Sequence, residues 1–259
     1  MVFRLMKILD CCLSYGSYRG NAPFLPCPNL VTLMTETRRA GISGGLVFNA
    51  AADNAGAVIG TRLLTEDLAA HQEAGESYSG VLTLLPSCTH ELPSPQSLPA
   101  FMREHLLAAI RINPATHRFL VSPRVLADYL KMAQERKIPV LFNTGEGLTL
   151  EQVERYMEAF PQLTAILTYC NPWPSDRLLR PFLDYPNLAL CTAYLIADQV
   201  IEQLVEQYGA GRLIFGSYFP WMYLGANMLH IHQAGIRPEE KAQIFSGNLE
   251  RLLKEVIWE

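Results

Sequence analysis

Eight short apolar runs, most separated by enough chain for a helix, constrain this chain more than any other feature. They are residues 5–10, "GGLVF" (44–48), "GVLTLL" (80–85), "AAIRI" (108–112), "IPVLFN" (138–143), "LTAILTY" (163–169), "NLALCTA" (187–193) and "GRLIFGS" (211–217). Helical patterns intervene, among them residues 29–41, 122–137 and 149–160. Ser122 followed by Pro123 predicts an N-cap with proline at the first helical position. Thr149 with Gln152 predicts a capping box, and Gly41 sits where a C-cap glycine belongs. Strands alternating with helices imply parallel pairing, and near-continuous apolar strands imply burial on both faces. Eight such units in 259 residues, close to the ~250 typical of the fold, predict an α/β chain forming one (β/α)8 TIM barrel over residues 1–259. A doubly wound open sheet is the rival. It usually carries a G-x-G-x-x-G turn after its first strand, and "SYGSYRGNAPFLPCP" has none. Residues 14–28 and 49–60 read as long loops able to cover the barrel mouth.

Composition narrows the function class. Charged residues are sparse at 18% with a net charge of -4, and no Lys/Arg run appears, which argues against nucleic acid as a partner. No stretch reaches the ~18 apolar residues of a membrane span. The six cysteines, mostly inside or beside apolar runs, read as reduced thiols, and with no secretion signal legible the expected location is cytoplasmic. Self-association is left open.

In this fold the working residues sit at the C-terminal strand ends. Asp10, Cys12 and Ser14 recur with a period of two, which on a regular strand points all three the same way. Further along, the ends offer Asn49, Pro86, Arg111 with Asn113, Asn143, Tyr169, Cys191 or Ala193, and Tyr218. Cys12 reads either as a thiol nucleophile or as small apolar filler, with filler favoured because no His falls at another strand end. Arg111, on an otherwise buried strand, requires a partner: an internal ion pair with Asp10, or the carboxylate of a ligand. Glu146 reads as a solvated loop residue. His230 and His232 fall two apart on a predicted helix and diverge; His71, His90, His105 and His117 fall in helices or loops, and of these His90 and His117, in loops after strands three and four, could reach the mouth. Tyr169, Trp173, Tyr194, Tyr218, Phe219, Trp221 and Tyr223 predict an aromatic lining after strands six to eight.

The order of motifs carries a resemblance. "LDCCLSYG", "RRAGISGGLVF", "AIRINP", "IPVLFNTGEG", "FPQLTAILTYCN", "NLALCTA", "RLIFGSYFP" and "IFSGNLERLL" resemble the metal-dependent amidohydrolase superfamily, in the branch of the aminocarboxymuconate-semialdehyde decarboxylases. "GSYFP" and "SGNLERLL" are the most specific pieces, similar to that branch's G-S-D-x-P and G-N-x-x-R-L-L endings. Aligned with the family pattern, the two histidines of D-x-H-x-H fall on Cys12 and Ser14, the strand-five histidine on Asn143, the strand-six histidine on Tyr169 and the strand-eight aspartate on Tyr218. The resemblance thus implies a metal-binding scaffold with all five ligand positions substituted. Neutral Asn and Tyr are poor ligands for a catalytic divalent ion, so no metal or other cofactor is expected. The expected function is a binder of a small carboxylate or other anion, or a pseudoenzyme, on a hydrolase scaffold. The alternative is a metal-independent hydrolase, lactonase or decarboxylase-like enzyme. Asp10, Cys12, Ser14, Arg111, Asn143, Tyr169 and Tyr218 are the candidate ligand-binding residues.

Overall fold

A computed structural model describes residues 6–18, 23, 25–71, 77–169 and 184–259. Cys170 and Trp173 lie outside the described residues. Eight strands form one all-parallel sheet in sequence order: β1 (Leu9–Tyr15), β2 (Gly44–Asn49), β3 (Ser77–Thr83), β4 (Leu107–Ile112), β5 (Val140–Asn143), β6 (Ala165–Tyr169), β7 (Leu188–Cys191) and β8 (Leu213–Ile214). The Cys11 amide donates to the Phe215 carbonyl at 2.9 Å and the Ser14 amide to the Phe219 carbonyl at 3.0 Å, which brings the chain after β8 back to β1. The result is the expected (β/α)8 barrel.

Alternation along the strands sorts the core into two shells. Leu46, Val81, Ala109, Leu141, Ile166, Ala189 and Ile214 fill the barrel interior. Val47, Leu82, Ile110, Phe142, Leu167 and Leu190 face outward, where Leu33, Leu64, Met102, Leu130 and Val153 from the helices cover them. Each such side chain contributes roughly 1.5–3 kcal/mol by leaving water. The Thr149 capping box is formed and starts the helix Leu150–Ala159. Over 122–137 the expected single helix is instead a 3-10 turn, Pro123–Leu126, followed by a helix Ala127–Glu135, and Ser122 makes no side-chain cap bond.

Two sequence expectations change. Leu5 lies outside the described residues, and the first strand, expected over 5–10, runs Leu9–Tyr15, because pairing starts where Leu9 meets Gly44. A Cβ on Gly45 would collide with the Asp10 carbonyl, so glycine there lets β1 approach β2 closely. The register then slips: Asp10 pairs with Gly45 and Leu13 with Val47, so three steps of β1 oppose two of β2. This bulge breaks the period of two, and Cys11 and Cys12 both join the interior. Residues 49–60, expected as a loop, form the helix α2 (Ala51–Asn54) and the start of α3 (Ala57–His71). Gly56 and Gly60 give the stretch its loop-like composition. Gly60 is where α2 crosses α3, and a Cβ there would strike the Ala52 backbone.

Candidate functional site at the barrel mouth

Three candidates line one cavity under the mouth. Cys12, Arg111 and Asn143 surround it together with Leu46, Phe48, Val81, Leu141 and Thr168, and the space they leave is about 20 Å³, the scale of one water molecule. Above it Tyr169, Tyr194 and Tyr218 pack ring on ring, with centroids 4.1 Å apart for Tyr169–Tyr194, 5.1 Å for Tyr194–Tyr218 and 5.9 Å for Tyr169–Tyr218. Tyr218 adopts a left-handed backbone, φ 57°, uncommon for a bulky residue. Asn143 donates to the Tyr218 hydroxyl at 3.4 Å, and its own oxygen accepts from the Gly145 amide at 2.9 Å.

The wider aromatic lining is smaller than expected. Phe219 is buried in the outer shell, Tyr223 is exposed, and Trp221 meets Tyr18 edge-on at 5.1 Å. His230 and His232 lie on one helix, with His232 against Phe245, so they make no pair at the mouth.

Asp10 and Ser14 do not line the cavity. The fully buried Asp10 carboxylate sits at the seam between β1 and the chain after β8, accepting from the Ser217 amide at 3.0 and 3.1 Å and from the Cys12 amide at 2.8 Å. Burial pushes its pKa up to about 7 despite those bonds. The Ser14 hydroxyl accepts from the Tyr18 hydroxyl at 2.8 Å and donates to the Phe219 carbonyl at 3.4 Å.

Arg111 has a partner, and it is not Asp10. Its guanidinium pairs with the Asp53 carboxylate on α2. Its Nε donates to the Thr83 hydroxyl at 2.9 Å, and the Phe48 ring lies 3.9 Å from its central carbon. The expected internal ion pair exists with the acid exchanged: the seam holds Asp10 on backbone amides, while α2 carries Asp53 across the top of β4. Asn113 donates to the same Asp53 oxygen at 3.1 Å, and His117 Nε2 lies 3.6 Å from it. At that length the His117 contact is an electrostatic approach rather than a hydrogen bond, and Nε2 is buried without a hydrogen-bond partner. Burial would raise the Asp53 carboxyl; His117 and the charge and hydrogen bond of Arg111 outweigh it and hold the pKa at about 2. Sequence reasoning missed Asp53, whereas His117, read as a loop residue after strand four that could reach the mouth, does approach that acid. The only signal was an acid in a segment judged able to cover the mouth.

Among the described residues, no group of three or more His, Cys, Asp or Glu side chains could hold a metal ion, and no helix is long and apolar enough to cross a membrane.

The sequence profile of the Amidohydrolase family matches residues 49–254, well over half of the chain. This chain belongs to the amidohydrolase family. The matched range begins after the segment bearing Cys12 and Ser14. Solved structures are similar throughout. An uncharacterized TIM-barrel protein from Bordetella bronchiseptica is 18% identical, with 96% of this chain and 99% of that one covered and a TM-score of 0.69. For 5-carboxyvanillate decarboxylase from Sphingomonas paucimobilis the values are 13%, 96%, 99% and 0.68. For 2,6-dihydroxybenzoate decarboxylase from Rhizobium they are 12%, 95%, 99% and 0.67. At these identities the likeness is one of fold. No curated protein matches the sequence.

Proposed function

We propose that this amidohydrolase-family barrel binds a small carboxylate, or a similar anion, at its mouth without the divalent-metal hydrolysis of the superfamily. The observation that carries the reading is the Arg111 cluster, a buried guanidinium with Asn113 and His117 converging on one carboxylate oxygen. Arg with neighbouring donors is the standard means of holding a carboxylate in a water-poor site. Two structural neighbours, named as decarboxylases of 5-carboxyvanillate and 2,6-dihydroxybenzoate, make aromatic carboxylates the natural probes.

The residues aligned with the superfamily's ligands do not fit a divalent ion. The Asn143 oxygen is engaged by the Gly145 amide, the Ser14 hydroxyl by Tyr18 and Phe219, and the rings of Tyr169 and Tyr218 pack on each other. Of the five aligned positions only Cys12 is of a zinc-ligand type, and among the described residues it belongs to no group of three or more His, Cys, Asp or Glu that could hold a metal ion.

Protein purified without chelator tests the reading in two ways. Elemental analysis is expected to find zinc, manganese and iron far below one per chain. Benzoate or isophthalate at high concentration is expected to raise the melting temperature of the wild type and not of Arg111→Met, because a ligand bound only to the native state stabilises it by mass action. One equivalent of a divalent metal at the mouth, or shifts equal in both proteins, overturns it.

A further inference from the structure

The donors that would receive a ligand carboxylate already hold one. Arg111, Asn113 and His117 all approach the same oxygen of Asp53, and the cavity beside Arg111 is about 20 Å³, too small for even acetate beyond that oxygen. We propose that Asp53 is a built-in stand-in for the ligand: its carboxylate occupies the anion subsite of Arg111, Asn113 and His117, and an incoming small carboxylate must displace it. This deepens the anion-binding reading above and rests on it.

Three physical points support the exchange. Replacing one carboxylate by another keeps a counter-charge on Arg111 throughout, so the guanidinium, with 5% of its side chain exposed, is never buried with its charge uncompensated. Asp53 is the more exposed partner, at 22%, and it sits on α2, a single turn of helix that follows β2 on the mouth side. The acid can therefore leave while Arg111, anchored by Thr83 and covered by Phe48, stays in place. His117 Nε2, buried and 3.6 Å from the Asp53 oxygen, makes a hydrogen bond of normal length only with a carboxylate that sits closer to it than Asp53 does. An acid tethered next to its receptor also acts at a high effective concentration. External carboxylates then bind weakly, their apparent affinity reduced by the fraction of molecules in which Asp53 has let go.

The test compares wild type with Asp53→Asn and Asp53→Ser, in carboxylate-free and chloride-poor buffer, with benzoate as the probe. Removal of the internal acid should lower the benzoate concentration giving half-maximal stabilisation by about tenfold or more. In the wild type, where no variant is needed, carbon-13 NMR of the Asp53 carboxyl should report displacement. Its pKa, held at about 2 in the free protein, should move up toward the ordinary carboxylate range when benzoate saturates the site. If wild type and both variants respond to benzoate at the same concentration, or the Asp53 carboxyl titrates unchanged in saturating benzoate, the stand-in idea is wrong and the anion-binding reading survives. If benzoate stabilises none of the proteins at any concentration, the anion-binding reading itself fails, and this inference with it.

Discussion

Asp10 and Asp53 are both carboxylates in the upper barrel, and they are held in opposite ways. Asp10 has no cation. Its bonds come from the amides of Ser217 and Cys12, which are fixed by the backbone and join β1 to the chain after β8. Asp53 is held by the side chains of Arg111 and Asn113 rather than by backbone amides. The energetic consequence appears in the pKa values, about 7 for Asp10 and about 2 for Asp53. Burial wins where only neutral groups, the Ser217 side chain and the backbone amides, oppose it, and loses where His117 and a guanidinium do. A carboxylate on fixed donors stitches a fold together; one on side-chain donors marks a place where a ligand can compete.

The comparison breaks most sharply at Arg111. Arg111→Met should cost about 3 kcal/mol in a urea titration, near the low end for breaking a buried pair because Asp53 is partly exposed. It should also return the Asp53 carboxyl to the ordinary range or above. A loss under about 0.5 kcal/mol would mean the ion pair contributes nothing beyond an exposed one.

Asp10→Asn comes next. At pH 5 the Asp10 carboxyl is protonated, and the amide NH2 that replaces its hydroxyl cannot accept from the Ser217 N–H, so a loss of about 1–3 kcal/mol is expected, typical of an unsatisfied buried group. Carboxylate-induced stabilisation should persist in this variant; its disappearance would move Asp10 from the seam into the site.

The two acids should also pull stability in opposite directions with pH. Asp10 has a folded-state pKa above its unfolded value of 3.8. Its contribution is complete below that value and is lost as pH rises through about 7. Asp53 has a folded-state pKa below the same unfolded value, so its contribution is present above about 4 and is lost as pH falls through about 2. Chemical denaturation from pH 2 to 8 should show the wild type losing stability relative to Asp10→Asn above pH 4, and relative to Asp53→Asn below it. Parallel curves for wild type and Asp10→Asn would show that Asp10 is not held protonated.

The smallest effect is expected at Tyr218→Phe, which removes the long bond from Asn143 and leaves the ring contacts with Tyr169 and Tyr194 intact. About 0.5 kcal/mol or less should be lost. A larger loss would show that the hydroxyl, rather than the packed rings, holds the mouth closed.

Much of this was legible in one dimension. Strand–helix alternation encodes the barrel because each buried strand must be near-continuously apolar and each covering helix amphipathic. The order of strand ends put Arg111 and Asn143 at the mouth, and motif order brought Cys12, Tyr169 and Tyr218 to the same mouth. Legibility failed where backbone geometry departs from its regular period. The β1 bulge turned Cys11 and Cys12 inward together and separated Asp10 and Ser14 from the cavity. Gly56 and Gly60 made a helical segment look like a loop, hiding that the segment is anchored and that Asp53 is its anchor.

The sequence by itself determined the architecture, the family and the presence of a buried arginine in need of an anion, since these follow from local periodicity and residue chemistry. Only the tertiary structure decided which acid answers that arginine. Asp53 and Arg111 stand 58 positions apart, and no local pattern specifies a pairing across that distance. It is set by the turn after β2 and by the close crossing of α2 and α3 at Gly60, which together place Asp53 over the end of β4.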